Sequence, residues 1–135
     1  MDSYLQEMEQ TKRQHQLLST SRRSKLTGES ILNKVVEQVI SKVQTKDPNN
    51  FFRYPVDKKL ALGYYQTIKN PICLEEMNQK AKRQEYIDID LFLDDMGLMK
   101  SNAELFNGFN NEIAVLARLL EETAREIVDT DEMQE

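Results

Sequence analysis

Apolar side chains recur every three or four residues from Ile31 onward, at Ile31, Val35, Val36, Val39, Ile40 and Val43. Taken singly, these β-branched residues suit a strand, but the recurrence over three turns predicts an amphipathic helix. Asp47-Pro48 ends it, because a residue before proline is pushed out of the helical region. A first helix is therefore expected over about Gly28 to Lys46. From there to residue 70 the periodicity is lost while the apolar content stays high: Phe51, Phe52, Tyr54, Val56, Leu60, Leu62, Tyr64, Tyr65 and Ile68. Connections this long are uncommon inside compact domains and are usually functional or disordered. The aromatic content argues against disorder, and a short helix over Leu62 to Ile68 is expected to interrupt the loop.

Pro71 restarts the chain into a second helix with Leu74, Met77 and Ala81 on one face, and Glu75 and Glu76 early, where the helix dipole favours negative charge. Asp88 is a candidate N-cap for a third helix, whose Phe92, Met96, Met99, Ala103 and Phe106 fall on one stripe. Gly97, unfavourable within a helix, suggests close packing at that point. Asn107-Gly108 ends the helix, glycine being the residue that most readily takes a left-handed cap conformation. Asn110-Asn111 then starts a fourth, carrying Ile113, Leu116, Ala117, Leu120, Ala124 and Ile127. The expected fold is all-α, a four-helix bundle.

Composition changes this picture little. With 135 residues, 39% of them hydrophobic, the chain amounts to one domain and a tail. Residues 1–27 read as a polar, Gln- and Ser-rich arm and residues 28–130 as the folded unit. Cys73 is the single cysteine, so no internal disulfide forms, which fits a reducing compartment. No apolar run approaches the ~18 residues of a membrane span, and residues 1–16 lack the apolar stretch of a signal peptide.

Charge is more informative. Residues 86–135 carry three Lys/Arg against thirteen Asp/Glu, out of a net charge of −5 for the chain. That imbalance disfavours nucleic acid as the main partner and favours cationic ones such as Lys-rich tails, although acidic helices are also common as plain solvated surface.

Catalytic chemistry is poorly supplied. The one histidine, His15, lies in the arm, which removes His-based triads and Glu-x-x-His metal sites. One cysteine offers no zinc spacing, and four scattered glycines form no phosphate loop. Asp94-Asp95 and the basic cluster Lys80, Lys82 and Arg83 read as solvated surface, and Cys73 as a small buried or helix-start residue rather than a nucleophile. Neither cofactor nor metal is expected. What remains is the apolar loop and the Asn107 turn, which together could form a pocket at one end of the bundle. An amide NH₂ donates to a ligand carbonyl while apolar walls accept methyl and methylene groups. A free ammonium would lose its hydration there without a counter-charge; an acylated lysine would not.

The order of residues resembles the bromodomain family across about Gly28 to Val128. Phe52 followed by Pro55-Val56-Asp57 is similar to the family's loop-opening signature. Tyr64-Tyr65-Gln66-Thr67-Ile68-Lys69-Asn70-Pro71 is similar to its YYxxIxxP segment. Phe92, Asp95, Leu98 and Met99 match its third helix, and Asn102-Ala103-Glu104-Leu105-Phe106-Asn107 its N-x-x-x-[YF]-N ending. Ile113 stands where the family guards the pocket mouth.

The resemblance implies a left-handed four-helix bundle, with a long loop between helices one and two and a short one between helices three and four forming the pocket. It implies a reader of acetylated lysine, on histone tails or another Lys-rich peptide, within a larger nuclear chromatin protein. Asn107 would donate to the acetyl carbonyl and Tyr64 contact the same oxygen through water. Phe52 and Val56 would form floor and wall, Leu60 and Leu62 the loop-side wall, Phe106 the inner edge and Ile113 the gate. The chain departs from the family where Asn50-Phe51-Phe52 replaces Trp-Pro-Phe, where Phe106 replaces Tyr, where Cys73 replaces the usual Asp, and where Gly108-Phe109 follows Asn107, with Phe109 a candidate for the missing aromatic shelf. The alternative is a protein-interaction module on the same frame that no longer reads acetyl-lysine.

Overall fold

The computed structural model describes residues 28–132, so the arm at 1–27 lies outside the described residues. Four long helices and one short one follow each other: α1 (Gly28–Gln44), α2 (Tyr64–Thr67), α3 (Leu74–Lys82), α4 (Ile89–Asn107) and α5 (Glu112–Ile127), the last continuing into a π turn at Val128–Glu132. No strand occurs among the described residues.

Each helix buries the stripe its sequence predicts. Val36, Val39 and Val43 of α1, Leu74 and Met77 of α3, Phe92 and Met96 of α4, and Ala117, Leu120 and Ala124 of α5 have essentially no solvent exposure. Full burial of one such Val, Leu, Met or Phe side chain contributes about 1.5–3 kcal/mol, so the common core outweighs any single cap or ion pair. α4 and α5 pack most extensively on each other, while α1 packs on α3 and α5. At Gly97 a Cβ would come within 3.3 Å of the Glu121 carboxylate on α5, so the approach is close, though to the end of a flexible side chain.

Capping follows the sequence in most places. The Asp88 carboxylate accepts the Leu91 N–H and the Asn111 amide oxygen accepts the Ile113 N–H. Gly108 leaves α4 at φ +93°, in the region that side chains rarely adopt.

Asp95 departs from the reading of the Asp94-Asp95 pair as surface. It is drawn inward and receives both the Lys80 ammonium, at 2.7 Å, and the Tyr86 hydroxyl, at 2.7 Å. Of the Lys80, Lys82 and Arg83 cluster only Lys80 is drawn inward; Lys82 and Arg83 stay exposed, as read, and form surface pairs with Glu37 at 3.2 Å and Glu85 at 2.6 Å. Asp95 on α4 and Glu37 on α1 lie too far along the chain for adjacency to show them as partners. Burial and the bond to Asp95 together push the Tyr86 hydroxyl well above its usual titration range.

Candidate functional site

The long connection from α1 to α3 is shaped by a buried carboxylate. Asp47, 2% exposed, accepts the Phe51 N–H at 3.0 Å and the Phe52 N–H at 2.8 Å. The Phe52 and Arg53 carbonyls then accept the Leu74 and Glu75 N–H groups, two of the donors that the start of α3 leaves without intrahelical partners. This pins the stretch 51–53 against the end of the bundle and turns Phe52 into the core. Downstream, the Tyr65 hydroxyl donates to the Val56 carbonyl, tying the middle of the loop to α2.

Opposite this stretch lies the end of α4. Asn102 is buried and donates to the Asn70 carbonyl at 2.9 Å, which anchors the chain entering α3. One turn later, Asn107 donates one amide proton to the Ala103 carbonyl at 3.2 Å. A side-chain amide has two N–H donors; the second has no partner among the described residues. The hydroxyl of Tyr64 likewise makes no hydrogen bond to them. Tyr64 is 8% exposed and is held edge-on by Phe106, with ring centroids 4.9 Å apart, and by Tyr65 at 5.2 Å. Burial above all, then the neighbouring Tyr65 and Cys73, pushes its hydroxyl above the usual tyrosine value, so it stays protonated at neutral pH.

Between these elements is a cavity of about 60 Å³ lined by Phe51, Phe52, Tyr54, Val56, Tyr64, Ile72, Cys73, Met99, Ala103, Asn107 and Ile113. Ligand pockets for whole cofactors run to roughly 300–1,000 Å³, so this one suits a small group. No charged side chain lines it. Among the described residues no three His, Cys, Asp or Glu side chains are grouped to hold a metal, and no helix is long and apolar enough to cross a membrane.

Five of the sequence-predicted residues therefore share one cavity: Asn107, Tyr64, Val56, Phe52 and Ile113. Phe106 stands behind Tyr64 and braces its ring without lining the space. Leu60 and Leu62 are placed elsewhere. They are 86% and 82% exposed, which corrects their assignment to the loop-side wall. The reason is local: Asp57 closes a turn on itself, its carboxylate accepting the Lys59 N–H and its carbonyl the Leu60 and Ala61 N–H groups, and both leucines are left facing solvent. Phe109, considered for the aromatic shelf, is 62% exposed and lies under the Arg118 guanidinium instead.

The wall positions go to Phe51, Tyr54, Ile72, Cys73, Met99 and Ala103. Met99 and Ala103 were read only as apolar stripe positions of the helix and not as walls, although their spacing of eight and four residues before Asn107 carried the signal. Phe51 and Tyr54 gave no periodic signal. Cys73 starts α3 with its N–H donated to the Glu76 carboxylate at 3.1 Å, and burial pushes its thiol up to about 11. Such a thiol is protonated and unreactive at neutral pH.

Known proteins match this chain on the same span. The bromodomain family model matches residues 36–119. Transcription initiation factor TFIID subunit 1 of Caenorhabditis elegans is 30% identical over 101 residues, 75% of this chain and 6% of that protein. Bromodomain-containing protein 9 of Xenopus laevis is 38% identical over 76 residues, 56% of this chain and 14% of that protein. The chain thus spans a small fraction of the curated relatives it matches. The solved bromodomain of human BAZ1A superposes with a TM-score of 0.64 at 29% identity, covering 70% of this chain and 88% of the other.

Proposed function

The chain belongs to the bromodomain family, with that family's left-handed four-helix bundle, and on that premise we propose that it binds acetylated lysine through Asn107. The family supports an acetyl-lysine reader module of chromatin proteins. The observation that carries the reading to this site is the pair of unspent donors, the second Asn107 N–H and the Tyr64 hydroxyl, in an apolar cavity without a charged wall residue. A neutral acetamide carbonyl matches both donors, Asn107 directly and Tyr64 through a bridging water. An unmodified ammonium would enter that space unpaired, at a cost of several kcal/mol. Discrimination rests as much on this penalty as on the bond to the acetyl oxygen.

The partner is a Lys-rich peptide such as a histone tail, met in the nucleus by a larger chromatin protein of which this module is a part. The module binds rather than catalyses. A ligand of so few atoms gives weak affinity by itself, so neighbouring modules would add avidity.

The test titrates acetylated and unmodified Lys-rich peptides against wild type and Asn107→Ala. Only the acetylated peptide should bind well, and Asn107→Ala should weaken it by about tenfold or more while the protein stays folded. Equal affinity for the two peptides, or a mutant that binds as wild type does, would sink the reading.

A second reading has one specific observation behind it. Lys100, Arg118 and Arg125, the three cations of residues 86–135, are all paired internally with Glu121 or Glu104, leaving that half strongly acidic. Salt-sensitive capture of basic peptides regardless of acetylation would favour an interaction module that uses this face.

A further inference from the structure

Asn107 is the last residue of α4, and α5 begins at Glu112. The turn between them contains Gly108 at φ +93°. The Asn107 amide itself is held by one bond of 3.2 Å to Ala103. Helix ends of this kind fray unless something ties them down, because their last carbonyls lack intrahelical partners.

What ties this one down is a single side chain of α5. Arg118 Nη1 lies 2.8 Å from Glu104 Oε2 on the last turn of α4, and its Nη2 donates to the Phe109 carbonyl at 2.9 Å. The guanidinium carbon sits 3.9 Å from the centroid of the Phe109 ring. One planar group thus engages α4 by charge, the loop backbone by a hydrogen bond and the loop side chain by stacking. Glu104 adds to the same joint, since its carbonyl accepts the Gly108 N–H at 2.9 Å. Within the loop, the Asn111 N–H donates to the Gly108 carbonyl at 3.1 Å and the Asn111 side chain accepts the Ile113 N–H at 2.7 Å. The chain from Asn107 to Ile113 is therefore a short linkage clamped from outside by Arg118.

We propose that Arg118 is a positioning residue for acyl recognition, a clamp on the α4–α5 loop that sets the direction of the Asn107 amide and the place of Ile113 at the cavity mouth. The inference rests on the acetyl-lysine reading of this cavity. Arg118 does not line the cavity and acts only through the loop. Its role belongs to arginine specifically: a lysine would keep the charge opposite Glu104, but a single ammonium cannot present two divergent donors and a flat face at once. Phe109, too exposed to be held by a core, gains its fixed position from this stack.

The test compares Arg118→Lys and Arg118→Ala with wild type, each also combined with Asn107→Ala. Two readouts are taken: affinity for an acetylated and an unmodified Lys-rich peptide, and the side-chain amide resonances of Asn107 in the free protein. Arg118→Lys should weaken the acetylated peptide by about threefold and Arg118→Ala by about tenfold, with little change for the unmodified one. The Asn107 amide signals should shift or broaden before any peptide is added. On the Asn107→Ala background the Arg118 effect should shrink to the part exerted through Ile113, whereas a merely stabilising role would leave it unchanged. Unchanged Asn107 signals in folded Arg118→Lys and Arg118→Ala would overturn the clamp, and so would an equal loss of affinity on both backgrounds. If wild type shows no acetyl preference, the acetyl-lysine reading fails; the Asn107 signals still decide the clamp, shifted signals supporting it and unshifted ones ending it.

Discussion

Residues 47–56 and residues 57–63 belong to one connection, both carry apolar side chains, and they end in opposite surroundings. In the first stretch the backbone is hydrogen-bonded to the bundle: Asp47 accepts from Phe51 and Phe52, and the Phe52 and Arg53 carbonyls accept from the start of α3. Its side chains Phe51, Phe52, Tyr54 and Val56 reach the cavity. In the second stretch the backbone bonds mainly to itself around Asp57, and Leu60 and Leu62 stand in solvent. Apolar character is therefore a poor guide to which loop residues line a site. The destination of the backbone hydrogen bonds decides it, because an anchored backbone has few ways to point its side chains.

Removing the anchor of the first stretch is the most direct way to break this contrast. Asp47→Ala strips the partners from one buried N–H group, of Phe52, and one partly buried, of Phe51, and hydrogen bonds to a charged group contribute about 1.5–3 kcal/mol each. A loss of about 3 kcal/mol in denaturant unfolding is expected, together with weaker acetyl-peptide binding by whatever protein remains folded. Unfolding within 0.5 kcal/mol of wild type would show that the loop is held by packing alone.

The next effect is one of pH, at the point where the first stretch meets α3. The Cys73 thiol is raised from 9.0 to about 11 in the folded chain, mainly by burial. The folded protein thus keeps a proton that the unfolded chain releases, so this contribution is intact below pH 9 and is lost as pH rises through 11. Two units correspond to about 2–3 kcal/mol. Tyr64 and Tyr86, also raised, act in the same direction at higher pH. The difference between wild type and Cys73→Ser isolates the cysteine: the mutant should lose less stability between pH 9 and 11, and parallel curves would refute the assignment. Thiol reagents at neutral pH should label folded wild type slowly.

The smallest effect is expected in the second stretch. Leu60→Ser and Leu62→Ser should change stability by less than about 0.5 kcal/mol, as exposed substitutions usually do, and leave acetyl-peptide affinity within twofold. A several-fold loss in either would place that leucine on the path of the peptide and erase the contrast.

Much of the site was legible before the fold, for reasons that differ by residue. Asn107 stood at the end of a clean helical stripe, so its position followed from the 3.6-residue period, which also carried the unread signal for Met99 and Ala103 beside it. Tyr64, Val56, Phe52 and Ile113 were reached through the resemblance to bromodomains. Phe51 and Tyr54 were named only as apolar loop positions without a role, and Ile72 and Cys73 were missed as walls, since loop conformation has no period to read. Asp47 was seen as the end of α1, whereas its larger part is to hold the loop, an interaction that depends on a carboxylate being buried.

The sequence by itself determined the four helices, most of their caps and the place of the Asn107 amide at the end of α4, because helical periodicity and capping are local properties of the chain. Only the tertiary structure decided which loop side chains face that amide, which face water, and that Arg118 from the following helix holds the turn beside it. These depend on partners distant along the chain and on backbone groups with no side-chain signature, and they exist only once the helices have packed.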